Sequence, residues 1–284
     1  MRRLLLLAAV LVTACGRAPE RPPPPAIPQR IISVVPNATE MLFALGVGDR
    51  VIAVGDYDNF PAEVQTRPRI GGLLNPNIEK IIEMHPDMMV MYGSQDVLHE
   101  RLGAVGIRLY PFTHGDVSQT LSYIEDLGKA VGKAGEGRQI AAHIRSTFAD
   151  LAKESASPRP TVLLVHNRGT GLLGSFYSVG ARAFQSELIE VGGGRNVFGD
   201  MDKEILTPSL EEVIRRGPEV IIETIPGPGS AAEIAQREKD WLTLAALPAV
   251  ANHRVYVVAE DYMLVPGPRM DLAARKYAEL IRKR

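Results

Sequence analysis

Two glutamates hold the same place in two related stretches of this 284-residue chain. Leu74-Asn75-Pro76-Asn77-Ile78-Glu79-Lys80-Ile81-Ile82 returns 132 residues later as Leu206-Thr207-Pro208-Ser209-Leu210-Glu211-Glu212-Val213-Ile214. In each copy an N-cap residue, Asn77 or Ser209, opens a short helix, and the glutamate sits in its first turn, where a negative charge meets the positive end of the helix dipole. Tyr92 closes one apolar run and Arg168 follows another, so each is placed where a strand ends. Such side chains serve binding better than bond-making. The six histidines include no i, i+4 pair, which removes the common helical zinc pattern. Gly128-Lys129-Ala130-Val131-Gly132-Lys133-Ala134 is one residue short of a phosphate loop, and Ala134 stands where the magnesium-binding hydroxyl belongs. Ser178 lacks the first glycine of a nucleophile elbow, Phe176 being there instead. Gly192-Gly193-Gly194 follows a helix and reads as its C-terminal cap. No acid/base or nucleophilic pair emerges, so no enzyme, cofactor or resident metal is expected.

The single cysteine, Cys15, excludes a disulfide framework. It ends a segment that begins with Arg2 and Arg3 and continues apolar from Leu4 to Val12. That segment is too short to span a bilayer, which takes about 20 apolar residues, and has the build of a secretory signal. Val12-Thr13-Ala14-Cys15 is similar to the bacterial lipobox, in which the cysteine is lipidated. Pro19, Pro22 to Pro25 and Pro28 then make an extended tether. An extracytoplasmic, lipid-anchored monomer is expected. With 32 basic and 33 acidic side chains, no field of one sign draws it to nucleic acid.

The elements that must position these residues alternate. Short buried strands are predicted at Arg30–Val35, Val51–Val54, Met88–Tyr92 and Arg108–Phe112, and again at Thr161–His166, Leu172–Gly174, Val220–Thr224 and Val255–Ala259, with helices between them. Alternation of this kind gives largely parallel α/β sheets. A second echo, Thr39-Glu40-Met41-Leu42 against Ser186-Glu187-Leu188-Ile189, has a different offset, so the first copy carries an insert around Asp56 to Arg69. Ile140, Ile144, Phe148 and Leu151 stripe one face of a long helix over Lys133 to Ser155, and a closing helix runs from Met270 to Arg282. The expected fold is α/β: two similar lobes with mostly parallel sheets, joined by one long α-helix. The chain divides into a signal peptide (1–14), the lipidated cysteine and proline-rich tether (15–29), an N-terminal lobe (30–132), the linker helix (133–157) and a C-terminal lobe (158–284).

This organisation resembles the periplasmic binding proteins of ABC importers for cobalamin, haem and iron–siderophore complexes, over about residues 30–284. The resemblance is carried by Arg30-Ile31-Ile32-Ser33 with Pro36 and Thr39-Glu40, by Asp56-Tyr57-Asp58-Asn59-Phe60-Pro61, by Gly71-Gly72 with Asn77 to Ile81, by Gly192 to Phe198, and by Pro268-Arg269. It implies a bulky ligand held between the lobes and no chemistry performed on it. Tyr57 and Tyr177 match positions of aromatic residues that contact cobalamin, and Tyr262 beside Asp261 matches another aromatic position. Leu73 and Ile205 replace two tryptophans of the cobalamin binder, and the iron-binding tyrosine of the haem binders falls near Gly72. The ligand implied is a corrinoid, with a haem, a ferric siderophore or a free metal ion as alternatives; Tyr92 or His114 would serve as a haem ligand. The resemblance also implies that Glu79 and Glu211 dock, one from each lobe, onto arginines of an ABC permease dimer. A rigid helical joint allows only a small rotation of the lobes on binding.

Overall fold

A computed structural model describes residues 26–283, apart from positions 156, 172 and 228. The signal segment, Cys15 and most of the tether lie outside the described residues. The order is β1 (Ile31–Ser33), α1 (Pro36–Ala44), β2 (Val51–Val54), α2 (Ile78–Glu83), β3 (Met88–Tyr92), α3 (Asp96–Gly103), β4 (Arg108–Phe112), α4 (Val117–Ala130) and α5 (Ala134–Lys153). There follow β5 (Thr161–His166), β6 (Ser178–Val179), α6 (Phe184–Val191), β7 (Arg195–Asn196), β8 (Ile205–Leu206), α7 (Leu210–Arg216), β9 (Val220–Thr224), α8 (Ala231–Trp241), α9 (Pro248–Ala251), β10 (Val255–Val258) and α10 (Met270–Arg282).

The two halves have the same topology. The first sheet runs β2-β1-β3-β4 and the second β7-β5-β9-β10, every pairing parallel. The first and third strands of each half lie between two neighbours in both sheets, and the helix carrying the repeated glutamate, α2 or α7, leads into the third strand. The repeat is also chemical. The Asp87 carboxylate accepts the Gln29 and Arg30 amides at 2.8 and 3.1 Å, and the equivalent Glu219 accepts the Thr161 amide at 2.8 Å. Each half thus fastens the start of its first strand with the acid that follows its Pro86 or Pro218.

Several strand expectations hold to the residue, because continuous apolar runs such as Met88-Met89-Val90-Met91 can only be buried on both faces of a parallel sheet. One fails. Leu173 and Gly174 lie in a turn, and the strand of that region is β6, which pairs antiparallel with β8 in a small separate sheet. The long helix is α5, two residues shorter at its C-terminal end than expected, and its buried side chains include Ala141, Ile144 and Leu151. It packs against α4 at backbone distance: a Cβ on Gly128 would come within 2.8 Å of the Lys133 carbonyl, and one on Gly137 within 3.0 Å of the Ile124 carbonyl.

All strands of the first sheet precede α4 and α5, and all strands of the second follow them. One apolar core runs from Ile31, Met89 and Leu121 through Ile144 of α5 to Ala274 and Tyr277 of α10 and on to Leu164 and Ile222 of the second sheet. A second core on the far face of that sheet centres on Trp241, Phe176 and Leu163. The lobes therefore share buried side chains through α5 and α10. Among the described residues no helix is long and apolar enough to cross a membrane.

Candidate functional site

In parallel α/β sheets the loops after the strands' carboxyl ends are where ligands are met. Here those loops from the two lobes face one another, with a cavity at either end. One end is a cavity of about 460 Å³ lined by Pro36, Glu40, Tyr57, Asn59 and Phe60 of the first lobe and by Ala259 to Tyr262 and Val265 of the second. The other, about 520 Å³, is lined by His114, Asp116 and Gln119 facing Ala181, Arg182, Glu187 and Glu204.

The aromatic side chains are set out toward solvent at strand ends. Tyr57, 68% exposed, and Phe60 lie on the insert after β2; Tyr177, 43% exposed, follows β5. Tyr177 is fixed by two main-chain bonds with His166, at 2.8 and 3.0 Å. His166 itself donates or accepts at Thr224 Oγ1, and burial lowers its pKa to about 4, so the ring is neutral at pH 7. Tyr262 and Asp261 sit in the single turn after β10 and line the aromatic end. Tyr92 ends β3; its hydroxyl is 2.6 Å from His114 Nε2 and its ring meets Phe112 edge to face. Burial first, and then the charge of Glu204 on the facing lobe, push the Tyr92 hydroxyl up to about 12.

Two expected site residues are elsewhere. Arg168 is 2% exposed. It bonds Glu223 at 3.0 Å through Nε, Asp240 at 2.9 Å and the Arg237 carbonyl, while Arg237 and the Trp241 indole complete the shell of Glu223 at 2.7 and 2.8 Å. Its guanidinium neutralises a carboxylate inside the second lobe and has no face left for a ligand. Leu73 turns inward onto the core of the first lobe, and its carbonyl accepts the Gln95 amide. Its neighbour Leu74 is the exposed one, and lines a separate surface groove with Ile78 and Leu98.

Three residues not chosen from sequence tie the cleft together. Arg269, at the start of α10, holds Glu40 of α1 with two bonds of 2.8 and 2.5 Å and Asp261 with two of 2.8 and 3.2 Å, while its guanidinium lies 3.7 Å from the centre of the Phe60 ring. Burial raises the Glu40 carboxyl above its usual range, and Arg269 pulls it part of the way back. On the other side Glu187 of α6 accepts the Val117 amide at the start of α4, at 3.1 Å. Glu40 and Glu187 are the matched pair of the second sequence echo. Each reaches from its own lobe to the first turn of the other lobe's last helix. The signal was therefore present in the repeat.

Glu79 and Glu211 are both exposed in the first turns of α2 and α7, below side-chain caps from Asn77 and Ser209. Neither has an ion-pair partner among the described residues. No group of three or more His, Cys, Asp or Glu side chains is arranged to hold a metal ion among the described residues.

Residues 31–262 match the family model described as periplasmic binding protein. The vitamin B12-binding protein of Photorhabdus laumondii is 27% identical over 258 residues, covering 89% of this chain and 88% of the other. An uncharacterized ABC transporter substrate-binding lipoprotein of Bacillus subtilis, YvrC, is 26% identical over 310 residues, covering 98% and 95%. The crystal structure of the periplasmic vitamin B12 binding protein BtuF of Vibrio cholerae superposes with a TM-score of 0.73 at 25% identity, covering 91% of this chain and 98% of that one.

Proposed function

The chain belongs to the periplasmic binding protein family of ABC importers, whose members bind solutes for transport and are not enzymes, and on that premise we propose that it captures a corrinoid between its lobes. One observation carries the choice. Tyr57 and Phe60 from one lobe and Tyr262 from the other offer rings to the same cavity. Rigid aromatic faces suit a broad, flat macrocycle because little rotamer entropy is lost on contact. Tyr177 extends the apolar surface on the second lobe, and Tyr92 and Asp261 supply polar contacts at the two ends. A haem reading draws on one further fact, the Tyr92–His114 pair at 2.6 Å, which could turn toward an iron centre.

Delivery uses the two lobe tips. Glu79 and Glu211, exposed and unpaired among the described residues, dock onto cationic side chains of a permease dimer, and α5 acts as the joint that keeps their spacing fixed. Complementary charge of this kind sets encounter and register more than affinity. Cys15, through its lipid, holds the monomeric receptor at the membrane outside the cytoplasm.

The test is a binding panel of cyanocobalamin, dicyanocobinamide, haemin and a ferric siderophore. Micromolar or tighter binding of a corrinoid is expected, weakened roughly tenfold by Tyr57→Ala, the loss of one ring's contact. Absence of corrinoid binding overturns the ligand. Reversing both tips, Glu79→Arg with Glu211→Arg, is expected to abolish permease association, and unchanged association overturns the docking.

A further inference from the structure

We infer, granting the ligand cleft proposed above, that this cleft selects by charge: it admits chelates whose rim is neutral or cationic and excludes those whose rim carries carboxylates. The lining is rich in acids at both ends. Glu40, Glu260 and Asp261 line one end, and Asp116, Glu187 and Glu204 the other. Among the described residues no lysine or arginine lines the aromatic end, and Arg182 is the one such cation lining the other.

The cations that stand behind these acids are outnumbered. Arg269 is shared between Glu40 and Asp261. Lys276 is shared between Glu260 at 3.3 Å and Glu279 at 3.4 Å. Arg182 is 3.3 Å from Asp202, and both are largely exposed. Asp116, Glu187 and Glu204 have no cation at ion-pair distance among the described residues. Burial raises the Glu187 carboxyl, and the neighbouring charge of Asp116 adds to it in the same direction. Among the described residues, the buried arginine cluster around Arg168 is closed on Glu223 and Asp240.

Two physical effects then act together. A carboxylate-bearing rim meets like charge in a partly desolvated cleft, which is costly. In addition, ionised Asp and Glu accept hydrogen bonds and donate none, so they are satisfied by amide or ammonium N–H groups on a ligand and not by carboxylates. An amide-rimmed macrocycle is therefore matched to this lining, and the same macrocycle with carboxylates in place of its amides is not.

That pair is the test. Dicyanocobinamide and dicyanocobyrinic acid share one macrocycle and differ in rim amides against rim carboxylates. Titrating the full chain with each at pH 7.5 and low salt is expected to give at least about tenfold tighter binding of the amide form. The gap is expected to shrink in high salt, because screening weakens repulsion. It is expected to narrow by roughly threefold or more in the double variant Glu204→Gln and Glu260→Gln, each substitution removing one charge from the lining; the variant's fold is checked by its unfolding midpoint. Equal binding of the two corrinoids overturns charge selection while leaving the corrinoid assignment in place. Binding of neither overturns the corrinoid assignment. Two ferric chelates then decide the charge rule: preference for cationic ferrioxamine B over an anionic ferric tris-catecholate upholds it, and the reverse order or no binding of either overturns it.

Discussion

Arg269 is the side chain on which the aromatic end of the cleft turns, and replacing it by methionine isolates what it does. Glu40, 4% exposed, would lose both hydrogen bonds that now satisfy its carboxylate. Stranding a buried partner in this way costs about 3–5 kcal/mol. The Asp261 side chain is about half exposed, so its pair contributes little, under about 1 kcal/mol. Loss of the guanidinium from the Phe60 ring adds about 1 kcal/mol. A destabilisation of about 4 kcal/mol at pH 7.5 is expected, a fall in melting temperature of about 10 °C for a chain of this size. The pH dependence has a definite sign. Burial already raises the Glu40 carboxyl in the folded state, and removing Arg269 raises it further. A proton then neutralises the stranded charge, so the variant recovers part of its loss as pH falls through that raised value. Urea unfolding at pH 7.5 and 5 of Arg269→Met, Glu40→Gln and the double variant measures all of this. The double variant is expected to be about 2 kcal/mol more stable than the two single losses sum to. A loss below about 1 kcal/mol at pH 7.5, or one that grows on acidification, refutes the reasoning.

Asp58, 1% exposed within the insert, has its carboxyl pushed up to about 6 by burial. Its ionised form therefore costs about 3 kcal/mol above pH 7, a cost that fades as pH falls through 6 toward the ordinary carboxylate value of 3.8. Asp58→Asn is expected to be more stable than the parent by up to that amount at pH 7.5 and no more stable at pH 4, and an asparagine variant weaker at pH 7.5 contradicts the burial argument. Arg168→Met removes the guanidinium shared by buried Glu223 and Asp240, leaving Glu223 only Arg237 and the Trp241 indole, and is expected to lose about 3 kcal/mol of stability in thermal unfolding while the folded variant keeps its ligand affinity within about threefold; a selective loss of affinity would return Arg168 to the binding site. Small-angle scattering with and without bound ligand is expected to give nearly the same radius of gyration, because α5 and α10 bury side chains common to both lobes, and a large contraction would show a flexible joint.

Much of the scaffold could be read directly from residue order. Val51–Val54, Met88–Tyr92, Arg108–Phe112, Thr161–His166 and Val220–Thr224 are runs whose burial in a parallel sheet leaves little choice, and the Asn77 and Ser209 caps announce their helices. The pair β6–β8 was invisible because strands of two residues carry no period. Arg168 misled for a simple reason: it follows a buried strand, as a ligand-binding residue would. The correcting signal was Glu223, an acid inside the apolar run Val220–Thr224, which had to be met by cations from its own lobe. Arg269 was in view as part of Pro268-Arg269, but its partner Glu40 lies 229 residues away. Only the fold brings an ion pair of that separation together.

Asp87 and Glu219 bind the opening amides of their sheets at the edge farthest from the gap, before any residue that could touch a guest has been reached. Registry is thus settled upstream, by two small clasps that no occupant ever sees. The turns beyond the strand ends can differ between the halves, as the Asp56–Arg69 insert does, while the frame beneath keeps its shape. What the loops hold and what holds the sheets are thus separate jobs, done at opposite ends of the same strands.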